Sequence, residues 1–202
     1  METTQSPQNG TITTEALPLV EQTFEKHLFP TTLFMFDNKR HEDIKQQLID
    51  AAGKLSSSQD ERDVLSLDEE FVSVIKQAIF DICSKLPEVV ENEKIPVILG
   101  SNIMFQQPRE HIPVHAYENS SLVFTFVLNG REYIPSTYFV DPRGAVQTIR
   151  QKVSQGLIGT YFYVQAIESE IIVTPGYLQR YVETNLGNEA YVTFNVLVGY
   201  TE

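Results

Sequence analysis

"REHIPVHAYENSSLVFTFVLNG", residues 109–130, decides the reading of this chain. Its first half holds two of the four histidines, His111 and His115, and its second half is a strongly apolar run. Short segments rich in Val, Ile, Phe, Tyr and Thr, cut by Gly, Pro, Asn and Ser, read as β-strands. Counting the two strands inside this stretch, eight such segments follow Pro87: "IPVILGSNIMFQ", "IPVHAYE", "SLVFTFVLN", "EYIPSTYFVD", "TYFYVQAIE", "EIIVTP", "RYVET" and "EAYVTFNVLVGY". Between them only "GAVQTIRQKVSQG" offers a helix or a long loop.

Ahead of the strands the hydrophobic period is different. "FPTTLFMFD", Phe29–Asp37, reads as a first strand. "HEDIKQQLIDAAGKL" then places Ile44, Leu48, Ala51, Ala52 and Leu55 on one helical stripe. A second helix is predicted from Ser66, where "SLDE" forms a capping box with Glu69. Its apolar face runs through Phe71, Val74, Ile75, Ala78, Ile79, Ile82 and Leu86, and Pro87 is expected to end it. The helices so placed cover about residues 40–56 and 66–86. Two helices followed by many short strands predict a mostly β protein, a jelly roll backed by helices. In the last strand Val192, Phe194, Val196 and Val198 face one way. Tyr191, Thr193 and Asn195 face the other, towards a polar pocket or solvent.

Composition narrows the partners. The 202 residues suffice for one core, so residues 18–202 are expected to form a single domain. The formal net charge of −12 repels phosphate backbones and anionic lipid, which argues against nucleic acid and membrane. Residues 1–17 are polar, with few apolar anchors. They are expected to be a disordered arm or one ordered by a partner, either another protein or a second copy of the chain. The single cysteine, Cys83, shares a helical face with Ile75 and Ile79 and reads as a small core residue. A lone cysteine suits a reducing, cytoplasmic setting. The N-terminal residues lack the basic and apolar regions of a secretory signal. "DPRG" (Asp141–Gly144) and "NLGNE" (Asn185–Glu189) read as turns rather than phosphate loops.

The order and spacing of "LFPTTLFMFD", "PREHIPVHAYENSSLVFTFVLN", "YFVDPRG" and "ESEIIVTPGYLQRYVETN…EAYVTFNV" resemble a family of Fe(II)/2-oxoglutarate-dependent oxygenases found in marine bacteria and in phages. The resemblance runs from about Leu28 to Val198. It implies a double-stranded β-helix, the jelly roll whose mouth holds iron. Such a site needs three ligands on one face of the metal, two imidazoles and usually a carboxylate, with open positions for co-substrate and oxygen.

Carried over position by position, His115 matches the first ligand and the second falls on Tyr117. The distal histidine falls on Arg180, in "TPGYLQRYV". The arginine that grips 2-oxoglutarate falls on or next to Glu189. Three of the four positions thus depart from the family pattern. A phenol with an ordinary pKa near 10 is a poor ligand for Fe(II). Arg180 cannot ligate and brings a positive charge to a cation's place. Glu189 would repel the carboxylate that its counterpart attracts. No histidine follows His115, so no shift of the alignment restores a distal ligand. His111 and His115, four apart on an extended segment, stand about 13 Å apart at roughly 3.3 Å per residue, too far to share a metal. His115 and Tyr117 read otherwise as a hydrogen-bonded pair, and Arg180 and Glu189 as an ion pair filling the old pocket.

The expectation from sequence is therefore a non-catalytic double-stranded β-helix with no cofactor. Its remnant pocket comprises His115, Tyr117, Arg180 and Glu189. It would serve as a structural or assembly component, of a phage virion given where the family occurs. One alternative is an oxygenase using Fe(II) and 2-oxoglutarate through unusual ligands, of which only His115 is assignable. Another is a module that binds a small molecule in the barrel mouth.

Overall fold

A computed structural model describes residues 20–28, 31–56, 69–129, 133–140 and 161–201. Ten strands and three helices follow in chain order: β1 (Val20–Leu28), β2 (Thr31–Asn38), α1 (His41–Ser56), α2 (Glu69–Cys83), α3 (Pro87–Val90), β3 (Ile95–Gln106), β4 (Ile112–His115), β5 (Leu122–Val127), β6 (Thr137–Val140), β7 (Tyr161–Val164), β8 (Glu170–Pro175), β9 (Arg180–Val182) and β10 (Tyr191–Thr201). They form a six-stranded sheet in the order β1-β2-β8-β5-β10-β3 and a four-stranded sheet in the order β4-β9-β6-β7. Every pairing is antiparallel. This is the predicted mostly β jelly roll, and all eight segments after Pro87 contain a strand.

The larger sheet is the middle layer, and alternation along its strands explains why. On β2, Phe36 points into the core shared with the helices, while Leu33 and Met35 join the core between the sheets. On β10, Val192, Phe194, Val196 and Val198 enter the helix-side core, and Tyr191 enters the inter-sheet core. A period of two sends successive side chains to opposite layers. Helix α2 closes the outer layer with Ile75, Ala78, Ile79 and Ile82, spaced to fall on one stripe. From α1, Ile44 and Leu48 join them. The chain enters α1 after Asn38, whose Oδ1 accepts the Arg40 N–H at 3.1 Å and supplies a partner near the helix start.

Two boundaries differ from the sequence reading. The first strand is β1, which pairs with β2 along Val20–Leu28; its polar alternation "VEQTFEKHL" gave no apolar run. Helix α2 ends at Cys83 rather than at Pro87. Pro87 begins α3 instead, at a first-turn position where its missing N–H has no helical partner to lose. The arm of residues 1–17, the Ser66 cap, "DPRG" and the whole of "GAVQTIRQKVSQG" lie outside the described residues, as do the side chains of Ala51, Ala52, Leu55 and Phe71. Among the described residues no helix is long and apolar enough to cross a membrane.

Cys83 sits in the helix-side core at 1% exposure, and burial pushes its thiol up to about 12. A thiol reagent at pH 8 should therefore label the native protein only as fast as it unfolds, and labelling within seconds would contradict this core position.

Candidate functional site

The cross-strand pair His115↔Arg180 joins β4 to β9 at the mouth of the barrel. Two segments distant in sequence meet there, the "HAYENSS" loop and the "TPGYLQR" turn, and Gly176 is the reason they can. The Tyr117 N–H donates to the Gly176 carbonyl at 2.9 Å, and the Gly176 N–H donates to the Ser121 carbonyl at 3.1 Å. A Cβ at Gly176 would overlap the Ser120 carbonyl and hydroxyl oxygens and the Tyr117 carbonyl. Leu178, two residues on, is fully buried in the inter-sheet core. These two anchors aim Arg180 inward.

Arg180 is 4% exposed. Its guanidinium carbon lies 5.3 Å from the centre of the Tyr117 ring and 5.6 Å from that of Phe139, within cation–π range of both. Its Nη2 donates to Thr174 Oγ1 at 2.7 Å, and its Nε has no partner. Burial pulls the guanidinium down to about 10, so it stays a cation at neutral pH.

His115 meets Tyr117 edge to face, ring centres 5.4 Å apart, instead of through the expected hydrogen bond. The His115 Nδ1 lies 2.9 Å from the Pro113 carbonyl, which can only accept, so Nδ1 carries the hydrogen. Burial first, and then Arg180, hold His115 below the usual imidazole range, against the opposing pull of the Pro113 bond. The Tyr117 hydroxyl donates to Met104 Sδ at 3.5 Å, and burial raises its pKa despite Arg180 and Asn102.

Behind these residues runs a polar ladder across three strands. Thr125 Oγ1 donates to Asn195 Oδ1 at 2.8 Å, and Asn195 Nδ2 donates to Asn102 Oδ1 at 3.0 Å. This is the polar face of β10 that the sequence alternation pointed to. Thr174 and Phe139 lie inside the quoted motifs without a role assigned there, and with Met104 and Asn102 they reach the site only through the fold. Glu189 is exposed and is absent from the pocket wall. The expected Arg180–Glu189 pair is therefore not made: Glu189 leads into β10 beyond the Asn185 turn, where its carbonyl accepts from Asn185 Nδ2 at 2.8 Å. His111 is exposed just before β4.

No protein-family model and no curated protein matches this sequence. Solved structures do. SnoK, a non-heme α-ketoglutarate-dependent carbocyclase from nogalamycin biosynthesis, superposes with a TM-score of 0.59 at 11% identity, over 82% of this chain and 78% of its own. The fold is that of the Fe(II)/2-oxoglutarate oxygenases. HygX from Streptomyces hygroscopicus, with nickel and 2-oxoglutarate bound, matches at 0.59 and 9% identity over 85% and 83% of the two chains. EctD from S. alaskensis, with 2-oxoglutarate and 5-hydroxyectoine, matches at 0.60 and 8% over 83% and 71%.

The expectation that the chain has no place for a cofactor is overturned. Neighbours of this fold hold iron, nickel and 2-oxoglutarate. Within this chain, His41, Glu42 and Glu168 bring one ligand atom each to within 4.8 Å of one another, a donor set able to hold a cation. Sequence reasoning missed this group because Glu168 stands 127 positions from His41. Lys45 shares Glu168 Oε1 there and would have to give way to a metal.

The barrel mouth is a poorer fit. Among the described residues its wall is Met104, Ile112, His115, Tyr117, Thr125, Thr137, Phe139, Ile172, Arg180, Val182, Thr193 and Asn195, with one imidazole and no carboxylate. The cavity it encloses is about 20 Å³, room for an object of water size and not for a five-carbon diacid.

Two outcomes follow. Gly176→Ala should cost roughly 3 kcal/mol, because the new methyl meets backbone on both sides. Gly100→Ala, where a Cβ meets nothing within 4 Å, is the control and should be neutral or stabilising. Equal effects would contradict the clamp. By NMR, His115 should titrate below free imidazole, and Arg180→Met should raise its midpoint. Because the folded pKa is depressed, its contribution to stability is full above the unfolded value near 6.5 and is lost as pH falls from there through the folded midpoint. A midpoint unmoved by Arg180→Met would contradict the contact.

Proposed function

We propose that this chain keeps the double-stranded β-helix as a binding and assembly body, and that its barrel mouth no longer runs the oxygenase reaction. The observation that carries this reading is the buried Arg180 guanidinium, seated across from His115 where a second imidazole would complete a metal site. A cation fixed there opposes a metal ion by its charge and offers no lone pair. Tyr117 stays a neutral phenol, and among the described residues no acidic side chain lines the wall.

Apolar and aromatic groups left at the surface support the assembly side of the reading. β3 is an edge strand of the larger sheet and exposes Ile95, Val97 and Leu99. Such edges invite pairing with another chain. On the smaller sheet Tyr181, Tyr138 and Tyr163 form a row, with the first two stacked at 4.8 Å and Tyr163 57% exposed. A virion component is one form this role takes, and a second copy of the chain is the simplest partner.

A second reading is an Fe(II)/2-oxoglutarate-dependent oxygenase with an unusual ligand set, favoured by the His41–Glu42–Glu168 group and the fold neighbours. One experiment separates the two. Protein purified without oxygen is loaded with Fe(II), given 2-oxoglutarate and then dioxygen, and assayed for succinate. The first reading expects no succinate above the iron-only background, and no change on His115→Ala. Turnover that depends on His115 overturns it. Turnover that persists in His115→Ala but is lost in His41→Ala supports the second.

A further inference from the structure

We propose that the cavity beside Arg180 is a site for a small inorganic anion of halide size. Three observations carry it. The guanidinium is buried, its Nε is unpartnered, and among the described residues no carboxylate pairs with it. A buried charge with one neutral hydrogen bond and two aromatic faces is incompletely compensated. Among the described residues no acidic side chain lines this wall, in a chain with 27 of them. An anion held here would be captured by local charge against a strongly acidic whole.

The remaining walls suit such an ion. Thr137 and Thr193 line the cavity, while the Thr125 hydroxyl and the Asn195 amide already take part in the ladder. The space beside Arg180 is small, about 20 Å³ where one water needs roughly 10–15 Å³, which favours a monatomic anion over sulfate, phosphate or a dicarboxylate. A water would fill the space but leave the charge uncompensated. The inference rests on the reading of the barrel mouth as closed to iron.

The test uses the whole chain and bromide as the probe. In crystals soaked in sodium bromide, an anomalous peak is expected within about 3.5 Å of Arg180 Nε, the reach of a charge-assisted contact to a large anion. In solution the Tm should rise by about 3 °C when sodium gluconate is replaced by bromide at constant ionic strength, as mass action requires of a ligand bound only by the folded state. Arg180→Met should fold and lose that increment, and Arg180→Lys should keep only part of it. A water in place of the peak, or an increment undiminished in Arg180→Met, overturns the inference. Iron is measured on the same protein. Stoichiometric iron lost on His115→Ala sinks the closed-mouth reading and the anion site together, whereas iron-free protein without a bromide peak sinks the anion site alone.

Discussion

A guanidinium buried between two aromatic rings, where two sheets meet, sets the character of this protein's barrel mouth. Arg180 reaches that place because two neighbours in sequence, Gly176 and Leu178, each answer one packing demand. Gly176 lets the β8–β9 turn touch the backbone of the "HAYENSS" loop. Leu178 fills the inter-sheet core. The β9 pairing then sets Arg180 beside His115 on one side and Phe139 on the other. None of these contacts depends on a metal. The geometry that aims a side chain at the mouth is thus separable from the chemistry of the side chain aimed there, and a shared fold does not fix a shared reaction.

His115 and Arg180 were expected in one site only because the resemblance carries both onto its ligand positions; the β4–β9 pairing sets them side by side. The polar face of β10 was legible from alternation alone. Glu189 misled because its position was carried over from a pattern, and the Asn185 turn that leads into β10 leaves that side chain in solvent. The roles of Thr174 and Phe139 were not legible, although both lie in stretches that carry the resemblance: the β6–β9 pairing sets Phe139 beside Arg180, and the meeting of two sheets brings Thr174 to it. β1 was missed because its polar alternation resembles a loop until β2 pairs with it.

The His41–Glu42–Glu168 group belongs to a different part of the molecule, where the end of β2 passes into α1 and meets the turn before β8. Its His41 is 5% exposed and hydrogen-bonded to Glu168 at 3.2 Å. Lys45 already supplies a positive charge at Glu168. A cation there would compete with an ammonium for one carboxylate, so its affinity would depend on how readily Lys45 finds solvent. At Arg180 the situation is reversed: the positive charge is fixed, buried and without a carboxylate. The two places therefore call for ligands of opposite sign.

Cobalt(II) titration followed by NMR tests that contrast most directly, because a paramagnetic ion broadens the resonances nearest to it. The account predicts that the His115 and Tyr117 ring signals stay sharp, and that any early broadening centres on His41. Broadening of His115 at substoichiometric cobalt, ahead of His41, would contradict it.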